Sequence, residues 1–207
     1  MKICLVRHGE TDWNREMKFQ GWADISLNER GREEARALAK KLEGTAFDEA
    51  YCSDLDRAAE TAEIILGDAK TELHVDPRLR EMGFGPLEGQ DYSNAKNEPE
   101  SPVHLLFTHP DEYIPEFGGE RLSYVSARFD AFRASVLDPL EAKGEARTVL
   151  IVAHGIIVRD ILTRAGGFPY EDFWKLPVGN CSAAFLELKD GSLSILEMGE
   201  KVSEWLI

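Results

Sequence analysis

The feature that most constrains the fold is a pair of short apolar runs that both end in His-Gly. Residues 3–6 lead to His8, and residues 148–153 lead to His154. Runs this short and this apolar are typical of strands that are buried on both faces, as in a parallel sheet. Ligands of such sheets bind just outside the carboxyl ends of the strands, where Gly9 would permit a tight turn and a close backbone approach. We therefore expect both imidazoles at one edge of one sheet.

Two arginines predict that this edge binds an anion. Arg7 ends the first run, and Arg57 lies in the first turn of a helix predicted over 54–66. Ser53 and Asp56 resemble the capping box of that helix, and a helix N-terminus attracts negative charge. Two guanidinium groups together with two imidazoles are suited to holding a phosphoryl group.

The rest of the chain alternates predicted strands and helices, which favours a three-layer α/β/α sandwich with a mostly parallel sheet. Strands are predicted over 47–52, 72–75 and 148–153 and in a closing hairpin over 181–188 and 193–198, and helices over 29–43, 119–142 and 156–165. Asn28 is the expected cap of the first of these helices, and Asp190-Gly191 is a type I′ turn signal. Residues 12–28 are predicted to be an irregular connection, and residues 90–118 an insertion of short helices and loops.

Composition excludes several classes of partner. The 207 residues include 24 basic and 38 acidic side chains, for a net charge of −14, which disfavours nucleic acid and anionic membrane surfaces. Residues 1–3 run directly into the first predicted strand, which leaves no room for a signal peptide, and no apolar run is long enough to span a membrane. Cys4, Cys52 and Cys181 are expected to be buried free thiols in a reducing compartment, without the spacing of a zinc site. We therefore predict a single domain over residues 1–207, located in the cytoplasm.

Further motifs follow the first His-Gly turn in a set order. They are Leu5 to Thr11 with Trp13-Asn14 and Gln20-Gly21, Ser53 to Ala58, Arg78 to Met82, Gly118 to Glu120, and Val152 to Gly155. On these motifs, which span about residues 1–190, the chain resembles the histidine phosphatase superfamily. It resembles most closely the phosphoglycerate mutase-like branch, which contains cofactor-dependent phosphoglycerate mutases and phosphatases such as α-ribazole phosphatase.

The resemblance implies a reaction through a phosphorylated histidine. His8 would be the nucleophile, neutral at the attacking nitrogen because its other ring nitrogen donates to a backbone carbonyl. Glu81 would protonate the leaving oxygen and later activate water, a role that burial and the charge of phosphate would support. Arg7, Arg57 and His154 would hold the phosphoryl oxygens. The other substrate-binding residues that the resemblance implies are Asn14, Gln20, Gly21 and Gly155.

The resemblance implies neither a cofactor nor a metal ion, because the arginines take the place of a metal. The expected partners are a small phosphorylated metabolite and inorganic phosphate as the product, and the family also allows a homodimer. α-Ribazole phosphate, sugar phosphates, phosphoglycerates and nucleotides are all compatible substrates.

Some of these residues also have a purely structural interpretation. Glu81 could simply pair with Arg78 or Arg80. Several aromatic residues could line a substrate pocket or pack in the core or a lid, and they are Trp22, Phe84, Phe107, Tyr113 and Phe117.

The chain departs from the family at positions that bear on the substrate. Leu87 stands where these phosphatases often have tryptophan, and Arg121 stands where a serine commonly follows the Gly-Gly-Glu triplet. Lys96 is the single basic residue, apart from histidine, in the insertion over 90–118 that is predicted to cap the substrate side. A site for a second phosphate or a carboxylate should be more basic. We therefore predict a phosphatase, with a cofactor-dependent phosphoglycerate mutase as the alternative and a noncatalytic phospho-ligand-binding protein as a third hypothesis.

Overall fold

The computed structural model describes residues 1–116, 118–143 and 148–198, and within them six strands form one sheet. The strands are β1 (Lys2–Arg7), β2 (Glu49–Cys52), β3 (Leu73–Val75), β4 (Thr148–Ala153), β5 (Ala183–Lys189) and β6 (Ser192–Met198). Their order is β3-β2-β4-β1-β5-β6. The first four strands pair in parallel, β5 pairs antiparallel with β1, and β6 pairs antiparallel with β5. The mostly parallel sheet predicted from the sequence is confirmed.

Helices cover both faces of this sheet. They are α1 (Asp12–Arg15), α2 (Glu29–Lys41), α3 (Asp56–Leu66), α4 (His104–Thr108), α5 (Leu122–Phe132), α6 (Asp138–Ala142) and α7 (Gly155–Gly166), with a π-helical turn over Arg133–Leu137 between α5 and α6. Helices α2 and α3 pack with Cys4 and Val6 of β1, whereas α5 and α7 pack with Ile3 and Leu5. Successive side chains of a strand point to opposite faces, so the side chains of β1 pack into two separate cores, one on each face of the sheet. This is the predicted three-layer α/β/α arrangement.

Two predicted turn and cap signals are confirmed. The side chain of Asn28 accepts a hydrogen bond from the N–H of Gly31 and caps α2. Asp190 and Gly191 have φ values of 51° and 71°, as both central residues of a type I′ turn require.

Two helix starts were predicted wrongly. The connection after β1 is not wholly irregular, because Thr11 and Asn14 form a capping box that begins α1. The capping box predicted at Ser53 and Asp56 is absent from this helix start, since α3 follows Leu55, which makes no side-chain cap. The hydroxyl of Ser53 accepts from the N–H of Leu55 instead.

The ends of two other elements differ from their predicted positions because of left-handed backbone. Helix α5 begins at Leu122 because Gly118 and Gly119 have φ values of 96° and 106°. Strand β5 begins at Ala183 because Cys181, a half-buried free thiol, has a φ of 48°.

The predicted insertion contains short helices, as expected. A 3₁₀ turn spans Ala95–Asn97 and α4 follows it, while Phe117 lies outside the described residues. No helix in the described ranges is both long and apolar enough to cross a membrane.

Candidate active site

The parallel pairing of β1 with β4 brings the two histidines together. Arg7 is opposite Ala153 in this register, so His8 and His154 follow at neighbouring strand ends. Their ring centroids are 5.1 Å apart. The structure therefore places both imidazoles at one sheet edge, as the His-Gly pattern predicts.

His8 is held with its ring proton on Nδ1. This nitrogen lies 2.7 Å from the carbonyl oxygen of Gly9, and because a carbonyl only accepts hydrogen bonds, Nδ1 donates. Burial lowers the pKa of His8 well below its ordinary value of 6.5, and the positive charges of Arg57 and Arg7 lower it further. The ring is therefore neutral at neutral pH, with its lone pair on Nε2.

His154 is held in the opposite tautomer by Arg57. The Nε–H of Arg57 donates to Nδ1 of His154 at 3.2 Å, which leaves the ring proton on Nε2. Burial and then the charge of Arg57 lower the pKa of His154 well below 6.5, so this ring is also neutral. Its Nε2 is buried and has no hydrogen-bond partner in the described part of the chain. His154 thus lies behind the site, next to His8, with one N–H donor unused.

Arg57 connects helix α3 to the loop that follows α1. It lies in the first turn of α3, as predicted, and is fully buried. Its two terminal nitrogens donate to the carbonyls of Gly21 and Ala23, each at 2.8 Å. Burial lowers the pKa of Arg57 to about 10, so the side chain remains a cation at neutral pH.

A third arginine, Arg159 of α7, joins Arg7 in this region. Both donate to the carbonyl of Val178, at 3.1 Å from Arg7 and 3.0 Å from Arg159. The Nε of each is buried and unpaired among the described residues. A carbon built at the Cβ position of Gly155 would lie 3.5 Å from both arginines and from Glu81. The three side chains therefore surround one point.

Sequence reasoning missed Arg159, although a signal for it was present. It lies four residues after Gly155 in the predicted helix, and positions i and i+4 share one helix face. Burial lowers the pKa of Arg159 to about 10, so it adds a third cation to the site. No local signal marks Trp174, whose ring lies 5.0 Å from that guanidinium.

The carboxyl group of Glu81 is held by backbone N–H groups. Oε1 accepts from the N–H of Met82 at 2.9 Å, and the N–H of Ile156 in the first turn of α7 lies 3.1 and 3.2 Å from the two oxygens. Glu81 is 9% exposed and faces the same cavity as His8.

The alternative pairing of Glu81 with a neighbouring arginine is wrong. Arg78 is bound to Asp76, and Arg80 is bound to Asp54 at 2.6 and 2.7 Å. Both arginines therefore point to other carboxylates, and Glu81 remains at the site.

A cavity of about 230 Å³ joins these groups. The predicted residues that line it are Arg7, His8, Asn14, Gln20, Gly21, Arg57, Glu81 and Gly155, and the structure adds Lys18, Ile156 and Arg159. One wall is aromatic and is formed by Phe19, Phe84, Tyr92, Phe107 and Trp174. Of the five aromatic candidates, Phe84 and Phe107 thus contribute, Trp22 and Tyr113 lie outside the lining, and Phe117 is not among the described residues. Leu87, Lys96 and Arg121 also lie outside the lining that the described residues form.

Asn14 is oriented by a residue that sequence reasoning missed, Asn180. Oδ1 of Asn14 accepts from the N–H of Thr11 at 3.1 Å and from Nδ2 of Asn180 at 3.3 Å. Its Nδ2 is therefore available as a donor at the cavity. Asn180 also donates to the carbonyl of His8 at 3.1 Å, so one side chain holds two parts of the site.

The close backbone approach that Gly9 makes in the structure is to the protein's own helix α2. A Cβ on Gly9 would lie 2.5 Å from the carbonyl oxygen of Gly31, and a Cβ on Gly31 would lie 2.2 Å from that of Glu10. The two glycines therefore let the end of β1 pack against the first turn of α2.

Comparisons with known proteins identify the family of the chain. The family model "Histidine phosphatase superfamily (branch 1)" matches residues 3–201. A 2,3-bisphosphoglycerate-dependent phosphoglycerate mutase from Parvibaculum lavamentivorans is 34% identical over 194 residues, which cover 91% of this chain and 90% of that protein. The solved structure of Bacillus stearothermophilus YhfR has a TM-score of 0.86 and 32% identity, covering 98% of this chain and 99% of that one. The alpha-ribazole phosphatase from Shigella flexneri has a TM-score of 0.81 and 28% identity, covering 97% and 96%.

Proposed function

The chain belongs to the histidine phosphatase superfamily, and on that premise we propose that it is a phosphomonoesterase of small phosphorylated metabolites. The reaction proceeds through a phosphohistidine on His8, with Glu81 as general acid and base. The observation that carries this proposal is the ring of His8, whose Nδ1–H is held by the carbonyl of Gly9 so that the lone pair is on Nε2, in one cavity with the unpaired Nε–H donors of Arg7 and Arg159. Buried donors without a partner are costly, and an anion at this point would satisfy them.

In the first step, Nε2 of His8 attacks phosphorus. The N–P bond forms while the bond from phosphorus to the leaving oxygen breaks, and Glu81 transfers its proton to that oxygen. Negative charge spreads over the phosphoryl oxygens, where the cations Arg7, Arg57 and Arg159 of the cavity lining stabilise it. The Nδ1–H bond from His8 to Gly9 spreads the positive charge that develops on the ring.

In the second step, water replaces His8 on phosphorus. Glu81, now a carboxylate, takes a proton from the water as its oxygen bonds to phosphorus, and the N–P bond breaks. Inorganic phosphate leaves, and both His8 and Glu81 return to their starting protonation states. Asn14 contributes a neutral donor through Nδ2 in both steps.

We infer that residues 90–118 form a cap on the substrate side of a single domain. Tyr92, Leu106 and Phe107 of this segment line the cavity, whereas its one lysine lies outside the lining. An aromatic wall and a cavity volume of about 230 Å³ fit a phosphomonoester whose alcohol group is small.

A phosphoglycerate mutase is the second candidate function. The relative from Parvibaculum lavamentivorans carries that name, and two observations favour it: Arg159 and Lys18 line the cavity as cations beyond the predicted set. Such cations could hold the carboxylate of a phosphoglycerate.

The experiment that tests the proposal measures hydrolysis and phosphoryl transfer side by side. Purified protein is incubated with 3-phosphoglycerate and with a panel of other phosphomonoesters, and released phosphate and 2-phosphoglycerate are quantified with and without 2,3-bisphosphoglycerate. Hydrolysis predicts phosphate release that the bisphosphate does not stimulate and that falls by about 10³-fold or more in His8→Ala. His109→Ala, at an exposed helix end, is the matched control. Conversion to 2-phosphoglycerate faster than phosphate release would identify a mutase, and tight binding of phosphate esters without either product would identify a binding protein.

A further inference from the structure

The segment that carries Glu81 lies outside regular secondary structure. A 3₁₀ turn ends at Leu79, and residues 80–84 form neither a helix nor a strand. Backbone N–H and C=O groups in such a segment need partners other than a helix or sheet ladder. Side chains from two distant parts of the chain supply them.

Arg128 of α5 binds two carbonyl groups of this segment and one of the 3₁₀ turn that precedes it. Its Nη1 donates to the carbonyls of Arg78 and Arg80 at 2.8 and 3.1 Å, and its Nη2 donates to the carbonyl of Glu81 at 3.2 Å. A planar guanidinium with several fixed N–H groups can span such a set, which a lysine cannot.

Glu120 holds both Arg128 and the far end of the segment. Its carboxylate forms a two-point ion pair with Arg128, with both bonds at 2.9 Å. The same carboxylate accepts from the N–H of Gly83 at 2.9 Å, and the N–H of Glu120 donates to the carbonyl of Gly83 at 2.8 Å. A Cβ on Gly119 would lie 2.7 Å from that carbonyl, which explains the glycine before Glu120. The Gly-Gly-Glu triplet therefore serves the Glu81 segment.

Trp22 contacts the same segment through its indole N–H group. Its Nε1 donates to the carbonyl of Glu81 at 2.9 Å, so this one oxygen receives bonds from both Trp22 and Arg128. The indole ring also lies 5.1 Å from the guanidinium of Arg80. Trp22 is 45% exposed, so its ring contributes little to the core, although its N–H group points into the protein and donates to Glu81.

We propose that Arg128, Glu120 and Trp22 are positioning residues that hold Glu81 in place for proton transfer. The inference rests on the proposed role of Glu81 as the general acid. A general acid works only within hydrogen-bond reach of the leaving oxygen, and a misplacement of about 1 Å can cost about 10²-fold in rate. The side chain of Glu81 is short, so its reach depends on where its backbone is held.

The test compares two leaving groups in the first chemical step. Glycerol 3-phosphate releases an alkoxide that must be protonated, whereas 4-nitrophenyl phosphate releases a stable phenolate that needs no acid. Rapid-quench measurement of phosphoenzyme formation isolates this step from water attack. The variants are Glu81→Gln as the reference, Arg128→Lys, Glu120→Gln and Trp22→Phe. Arg133→Lys is the matched control, because Arg133 lies in the turn after α5, pairs with Asp138 and donates to a carbonyl remote from Glu81.

Glu81→Gln is expected to slow phosphoenzyme formation from glycerol 3-phosphate by about 10²-fold or more, and from 4-nitrophenyl phosphate only slightly. The positioning variants are expected to show the same selectivity at about tenfold or more, and Arg133→Lys none. Thermal unfolding monitors the fold, and Trp22→Phe, at an exposed ring, provides the test if a charge variant unfolds. If Glu81→Gln slows both substrates equally, the proposed role of Glu81 fails. If Glu81→Gln is selective but the three variants slow both substrates equally or neither, the positioning inference fails.

Discussion

Arg57 does more than supply positive charge, because each of its nitrogen atoms is committed to a different part of the site. Its Nε orients His154, and its terminal nitrogens bind the carbonyls of Gly21 and Ala23. One buried side chain thus sets a histidine tautomer and the course of a loop that lines the cavity.

Substitution Arg57→Lys should therefore reduce both stability and activity although the charge is kept. An ammonium cannot bind all three partners, and buried carbonyls left unpaired cost about 1–3 kcal/mol in unfolding free energy. We expect kcat/KM to fall by about 10²-fold. Urea unfolding and steady-state kinetics measure the two effects. Arg32→Lys is the control, because Arg32 of α2 forms an ion pair with Glu60 of α3 at the surface, and it should keep wild-type kcat/KM. Wild-type stability and kcat/KM in Arg57→Lys would contradict the role of Arg57 in holding His154 and the loop.

At the scale of elements, the two His-Gly turns are alike in sequence but not in structure. Gly9 packs against the backbone of Gly31, with no space for a side chain. Gly155 begins α7, and a Cβ there would meet other atoms only at 3.5 Å, among the arginines and Glu81. The first glycine is needed for packing, and the second leaves space among three charged side chains, where the proposed function places the phosphoryl group.

The two alanine substitutions should consequently separate stability from activity. Gly9→Ala is expected to destabilise the fold by about 1–3 kcal/mol through the clash with Gly31. Gly155→Ala should leave stability unchanged or raise it by up to about 1 kcal/mol, because alanine favours a helix, and lower kcat/KM by about tenfold or more. Urea unfolding and kinetics on both variants check this. Full activity in Gly155→Ala, or full stability in Gly9→Ala, would show that the glycines were assigned wrongly.

The sheet and the central pair of histidines could be predicted from the sequence because both depend on local patterns. A run buried on both faces identifies a central strand, and its last residue identifies the sheet edge. Contacts made across the fold have no such local pattern. Val178 joins Arg7 to Arg159, Asn180 holds Asn14, and Trp174 reaches the cavity from a 3₁₀ helix over Tyr170–Lys175. The positions of these residues depend on the strand register and on the paths of the loops, and neither can be deduced from a single sequence.

At the scale of the whole molecule, two buried neutral histidines make stability depend on pH. His8 and His154 have pKa values well below 6.5 in the folded protein, because of burial and of neighbouring arginines. In the unfolded chain both take up protons near pH 6.5. Below that pH the unfolded state therefore binds more protons than the folded state, and folding stability falls as the pH falls.

Urea unfolding between pH 8 and pH 5 should show this loss. Each neutral histidine contributes up to about 1.4 kcal/mol per pH unit below pH 6.5. His8→Gln removes one of these groups, so its unfolding free energy should depend less steeply on pH than that of the wild type. His109→Gln, at an exposed position, is the matched substitution. Equal slopes for His8→Gln and the wild type would contradict a neutral buried His8.

The most direct test of the central claim is to trap the phosphorylated enzyme. Protein is mixed with a labelled phosphomonoester, quenched within the first turnover, and digested to locate the label. We predict a label that is stable in alkali, lost in acid, and attached to Nε2 of His8, and that is absent from His8→Ala. Turnover without a label on His8, or with a label on another residue, would contradict the account.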